Sequence, residues 1–308
     1  MAHGCGAATS SMSTTIEDIH PDVLRRALRL LDGPALAAAG CATSHLRSLA
    51  TNPALWREIC LSTWPSLDHP RLLSLSLSHR ALFADAHPFP QSESSTLDSG
   101  VPVPLQLISA VDLYQGGKPV FSRVVETDAS SPWFLGSPFR VDALDRKDPP
   151  PAPVTSPAEL SLSWIVIDPA RRRAVNVSSR SPVAVERHWY TGETLVRFAT
   201  AVSGFAFEAV VTCGEEAGHV SEISLGVEDA DGITASGSDS LVILAEAMEG
   251  RRRRRGEEEE VKREYEEFVK GKRWRREKKA RGEFLVDFCC TAVGAAAFVA
   301  FVLMLAFR

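Results

Sequence analysis

IEDIHPDVLRRALRLLDGPALAAAGCATSHLRSLATNPALWREICLSTW, residues 16–64, is the stretch on which the reading of this chain turns. Leu24, Leu28 and Leu31 fall at i, i+4 and i+7, one face of a helix opening after Pro21-Asp22. Asp32-Gly33-Pro34 stops that helix and can cap a second, short one carrying Leu36 and Ala37–Ala39. Ser44 can open a third piece with Leu46 and Leu49 apolar. Asn52-Pro53 then reads as an N-cap followed by Pro at the first helical position, ahead of Leu55, Trp56 and Ile59. Several short helices in so few residues make a core too small to hide all its leucines. Such a module is expected to offer apolar surface to another polypeptide.

The ordered set Pro21, Asp22, Leu24, then Leu31-Asp32 with Pro34, Leu36, Arg47, Leu49, and finally Asn52, Pro53, Leu55 and Trp56, resembles an F-box. That resemblance implies docking on the Skp1 adaptor of cullin–RING ubiquitin ligases. Carried over position by position, it assigns the Skp1 contact to Pro21, Leu24, Leu28, Leu31 and Leu36, and the motif's own core to Leu49, Leu55 and Trp56. His45-Leu46 stands where the family usually has a basic-aromatic pair. The segments ICLSTWPSL (59–67), LISAVDLY (107–114) and SPWFLGSPFRVDAL (131–144) look like a group of plant F-box proteins with a β-rich C-terminal half.

Outward from the motif, 65–104 reads as a helical and linker segment, with Pro/Ser-rich punctuation at 86–104 and again at 149–157. Across 105–248 short apolar runs recur between turn signals: LQLISAVDLY, PVFSRVV, LSLSWIVI, AVNV, TLVRFATAV, FAFEAVVTC and SEISLGVE. Asp168-Pro169 before Arg171–Arg173 reads as a hairpin loop. The spacing predicts an antiparallel sandwich or barrel, so the fold class is α+β. Leu241–Met248 begins a helix.

Residues 249–283 carry 15 Lys+Arg against 10 Asp+Glu, whereas 1–248 carry 18 against 28. An acidic body on a basic stalk argues against nucleic acid as a partner. The pairs Glu258–Lys262 and Glu259–Arg263 support a helix. With only Tyr265, Phe268 and Val269 apolar and Gly271 midway, this stalk reads as a solvated, semi-rigid spacer. Phe288–Phe307 is then 20 residues without a charge, about 30 Å as a helix, the thickness of a hydrocarbon core. Residues 284–307 are therefore expected to span a membrane as a tail anchor. Eight Lys/Arg within 270–281 put the body in the cytosol and can attract anionic lipid. Endoplasmic reticulum and mitochondrial outer membrane stay open. So does acylation of Cys289 and Cys290.

Six cysteines without a CxxC pair fit a reducing compartment better than a disulfide or zinc scaffold. Met1–Thr15 reads as a short flexible tail with no signal core. No chemistry emerges elsewhere. His188-Trp189-Tyr190 reads as a half-buried strand with a satisfied histidine. Ser203-Gly204 lacks a nucleophile-elbow frame, and Gly116-Gly117-Lys118 lacks phosphate-loop spacing. Arg171–Arg173 reads as a solvated hairpin tip, and Cys213 and His219 stand too isolated for a metal site. No metal, cofactor or catalytic residue is expected. The expectation is a non-catalytic, membrane-tethered adaptor whose β domain presents an unknown protein substrate; the alternative is a tail-anchored scaffold with an F-box-like fold and no ligase role.

Overall fold

The computed structural model describes residues 16, 19–90, 102–214, 218–250 and 258–307, without the side chains of 283 and 285–287. The tail 1–15, most of the Pro/Ser-rich stretch at 86–104 and the arginine run 251–255 lie outside the described residues. Contacts divide the chain into two units, Met1–Thr63 with Ser78–Phe83, and Trp64–Leu77 with Ala84–Arg308.

The first unit is built from α1 (Pro21–Leu28), α2 (Gly33–Ala42), α3 (Ser44–Ala50) and α4 (Pro53–Thr63). Beyond a 3-10 turn, Pro65–Asp68, come α5 (Pro70–Ser74) and α6 (His79–Ala86), whose first turns rejoin the first unit.

The second unit holds nine strands: β1 (Gln106–Gln115), β2 (Lys118–Asp128), β3 (Arg140–Leu144), β4 (Leu160–Asp168), β5 (Arg173–Asn176), β6 (Ala184–Arg187), β7 (Thr194–Val202), β8 (Phe205–Cys213) and β9 (Val220–Asp229). They form two antiparallel sheets, in the orders β2-β1-β4-β5 and β3-β9-β8-β7-β6. Alternation sends Leu107, Val111 and Leu113 from one sheet, and Val196, Phe198, Phe207 and Val211 from the other, into one buried cluster around Trp164. That is sandwich packing, in which each strand offers every second side chain to a shared core. The short helix α7 (Pro132–Gly136) adds Phe134 to the cluster, and α8 (Gly237–Glu249) adds Leu241, Leu244 and Met248. The turns β1–β2 and β7–β8 are two-residue hairpins on Gly116-Gly117 and Ser203-Gly204, all four at positive φ. That is the geometry matching the right-handed twist of the flanking strands, and it fully accounts for both glycine motifs.

Two segments pack more closely than their sequence reading. Residues 65–77 are helical, one half of that reading, and not a free linker: the 3-10 turn lies against β1 and β2, where the buried carboxylate of Asp112 accepts from Ser66 N at 2.9 Å and Ser66 Oγ at 2.5 Å. Nearby, Arg71 pairs with Glu126 at 2.9 Å.

The stalk is not a solvated spacer either. A single helix, α9 (Glu258–Ala306), runs unbroken through Gly271 into the apolar stretch. Its Val261 and Tyr265 are buried, Tyr265 against Ala199 and Ala206 on the second sheet's outer face. The small Ala199 and Ala206 side chains leave room for the Tyr265 ring, and Val183 and Phe268 pack against the same cluster. Phe288–Ala306 is long and apolar enough to cross a membrane, and none of it is buried in protein.

Candidate functional site

Local chemistry explains how the N-terminal helices are punctuated. His20 Nδ1 accepts from Asp22 N at 3.3 Å at the start of α1, with Pro21 as the first helical residue. Asp32 Oδ1 accepts from Ala35 N at 2.8 Å and opens α2. Thr43, rather than Ser44, caps α3, its hydroxyl accepting from Leu46 N at 3.1 Å. Asn52 Oδ1 accepts from Ala54 N at 2.9 Å ahead of Pro53 and α4. Each bond satisfies an amide that the first helical turn leaves without a partner.

Leu49, Leu55 and Trp56 are buried, as a core role requires. Trp56 donates its indole N–H to Ala50 O at 2.7 Å and meets the Phe83 ring at 5.4 Å between centroids. Gly33 lies so close under Phe83 that a Cβ there would overlap the ring.

The five residues assigned to the partner contact do not share one environment. Leu24, Leu28 and Leu36 are 6%, 4% and 0% exposed, so they are enclosed by this chain and present no free surface. Pro21 and Leu31 are half-buried. Leu24, Leu28 and Leu36 are thus an inner stripe rather than the bare leucines that so small a core was expected to leave. The bare apolar stripe is Val23 and Leu30, 58% and 88% exposed, with exposed Ala27 between them. These three also fall at i, i+4 and i+7, so α1 and the turn after it carry two apolar stripes and burial chooses between them. Sequence spacing contained this second stripe, but the leucine-rich one masked it. Arg25, Arg26 and Arg29 rim the surface, and a shallow groove of about 330 Å3 runs from Val23 and Arg29 to Asn52 and Leu55.

His188-Trp189-Tyr190 is not a half-buried strand but the exposed β6–β7 turn, with Trp189 89% exposed and His188 Nδ1 3.0 Å from the Thr191 hydroxyl. A cavity of about 240 Å3 lies beside it, lined by Thr155, Arg187 and Cys213 among others. Burial pushes the Cys213 thiol up to about 11, which makes it a poor nucleophile at neutral pH. Arg171 and Arg173 are not a solvated tip: both pair with Glu249 at 2.9 Å, and Arg173 also holds Asp85 at 2.9 Å and donates to Met248 O at 2.6 Å. Asp168 Oδ1 accepts from Ala170 N and Arg171 N, so the hairpin loop itself forms where Asp-Pro indicated. Among the described residues, no three His, Cys, Asp or Glu side chains gather as metal ligands would.

Comparison with known proteins adds sequence relatives only. A probable F-box protein of Arabidopsis thaliana is 42% identical over 320 residues, covering 98% of each chain. Two further F-box proteins of the same plant are 38% identical over 92% of this chain and 94% of the relative, and 37% identical over 89% and 90%. No family model matches the chain, and no solved structure matches it.

Proposed function

The chain belongs to the plant F-box proteins, and on that footing we propose that it is the substrate adaptor of an Skp1–cullin–RING ubiquitin ligase, held on a membrane by its long C-terminal helix. The observation that carries the reading is the bare stripe of Val23 and Ala27 on α1 and Leu30 in the turn that follows it, in the F-box region. Contiguous exposed apolar side chains rimmed by charge are what a partner protein covers. Pro21 and Leu31 flank the stripe, whereas Leu24, Leu28 and Leu36 act from beneath by setting the angle at which α1 presents it. The adaptor catalyses nothing itself. The sandwich would hold a protein substrate near the charged conjugating enzyme, turning a bimolecular encounter into a local one.

Membrane tethering draws on Phe288–Ala306 together with the basic flank 270–281, which by the positive-inside bias keeps the body on the cytosolic side. Endoplasmic reticulum and mitochondrial outer membrane both satisfy these features.

The test is co-purification of Skp1 with the full chain and with Val23→Asp/Leu30→Asp. Loss of Skp1 from the double variant, with the thermal melt unchanged, is the expected result. Full recovery of Skp1 by the double variant removes the Val23/Leu30 stripe as the contact, and absence of Skp1 from the wild type removes the adaptor reading. A second reading, a membrane scaffold with an F-box fold and no ligase role, is favoured by the burial of Leu24, Leu28 and Leu36; it requires that the wild-type chain itself recovers no Skp1.

A further inference from the structure

The basic flank of α9 divides in two along its length. Three of its upper cations are engaged by the β sandwich, while Arg273 pairs with Glu277 along the helix. Lys272 pairs with Glu228; Arg275 donates to Ala230 O at 2.8 and 2.6 Å; Arg276 donates to Gly232 O at 3.3 Å. With Val261 and Tyr265 above them, these residues follow one face of the helix at i, i+4, i+11, i+14 and i+15. The seam runs about 22 Å along the helix at 1.5 Å per residue. The turn it grips is shaped for the purpose. Gly232 sits at φ 77°, and a Cβ there would overlap both Lys272 and Arg276.

The lower cations make no ion pair with the protein among the described residues. Among the described residues Lys279 and Arg281 have no partner, and Lys278 touches only the Trp274 ring, 5.1 Å from its centroid. Arg281 precedes Phe288 by seven residues, about 10 Å, and Lys278 by ten, about 15 Å. A headgroup layer about 6 Å deep leaves both within roughly a Debye length of its surface.

We infer that α9 is a two-ended strut: Lys272, Arg275 and Arg276 clamp the β sandwich, while Lys278, Lys279 and Arg281 hold anionic phospholipid headgroups, so that the sandwich stands at one fixed height above the bilayer. The inference rests on the membrane reading above and commits to an anionic bilayer surface by charge complementarity and by continuity of the helix with the apolar span. A flexible leash would let a substrate site sweep a thick layer. A strut confines it to a thin one and selects substrates by where they lie relative to the membrane.

The test uses the full chain reconstituted into vesicles of phosphatidylcholine and phosphatidylserine. Lipid association is read from spin-labelled analogues of the two lipids. Height is read by energy transfer from a dye at Ile233→Cys to headgroup-labelled lipid, with Cys5, Cys41, Cys289 and Cys290 replaced by alanine. The wild type is expected to prefer phosphatidylserine and to give a single narrow distance. Lys278→Gln/Lys279→Gln/Arg281→Gln should lower that preference at least fivefold, the worth of one basic side chain at an anionic surface. Lys272→Gln/Arg275→Gln/Arg276→Gln should leave the preference intact and broaden the distance. Glu228→Lys/Lys272→Glu should keep the distance narrow, which guards against a merely misfolded clamp variant.

An unchanged preference in the lower triple variant, or an equal loss in both triples, overturns the inference. So does a distance that stays narrow in the upper triple. A chain that fails to float with vesicles at all overturns the membrane reading as well, and is distinguished by that fact.

Discussion

Asp112 offers the sharpest quantitative test of how the second unit is assembled. Its side chain is fully buried in β1, with one oxygen accepting from Ser66 N and the other from Ser66 Oγ. Burial pushes the carboxyl above its ordinary range, and hydrogen bonds from Ser66 and Ser122 only partly pull it back. A raised folded value means that the folded state binds the proton more tightly than the unfolded one. The stabilisation this group supplies is therefore complete below the unfolded value, near 3.9, and is lost as pH rises through the folded value. Asp112→Asn keeps the acceptor for Ser66 N, turns an amide donor towards Ser66 Oγ and removes the charge. It should match the wild type at the acid end and equal or exceed its stability at pH 7. Asp112→Ala leaves Ser66 N without a partner and should cost about 1–3 kcal/mol. For a domain of this size that is a drop of roughly 2–12 °C in Tm. Thermal melts of the three proteins from pH 4 to 8, followed by circular dichroism, decide the matter. If Asp112→Asn loses as much as Asp112→Ala at pH 7, or if its difference from wild type does not change with pH, the buried charge is not what the fold works against here.

The two stripes of α1 and its following turn predict opposite outcomes for residues only two positions apart. Leu28→Asp should unfold the helical unit, because it adds an unpaired charge to the roughly 2–5 kcal/mol lost when a buried leucine is truncated, whereas Leu30→Asp should change stability by no more than about 0.5 kcal/mol; paired thermal melts check this. Gly33→Ala should cost about 1–3 kcal/mol by overpacking against Phe83, measured by urea unfolding, and a neutral result would mean that the ring is free to move. Thiol labelling at pH 8 should modify exposed Cys41 within minutes and spare Cys60 and Cys213, whose thiols burial pushes up to about 12 and about 11. Peptide mapping of the labelled native protein reads it, and fast labelling of Cys60 would mean that α4 opens readily.

Much of the architecture was legible without coordinates, and the reason is local. Helix starts are set by short-range hydrogen bonds that the side chains of His20, Asp32 and Asn52 accept, and hairpins by residues that accept positive φ, so both are written within a few positions of where they act. Strand alternation likewise announces an antiparallel β region. Which face lies inward is a different matter. Val23, Ala27 and Leu30 have the same spacing as Leu24, Leu28 and Leu31, and periodicity cannot rank two apolar stripes on one helix; only packing among α1, α2 and α3 does. Arg171, Arg173, Lys272 and Arg275 read as solvated cations because their acceptors, at Glu249, Asp85, Glu228 and Ala230, lie some 45 to 90 residues away. A chain records its local preferences directly. Partners joined across such distances exist only once the fold has closed the loops between them, since neither residue's identity carries the other's address.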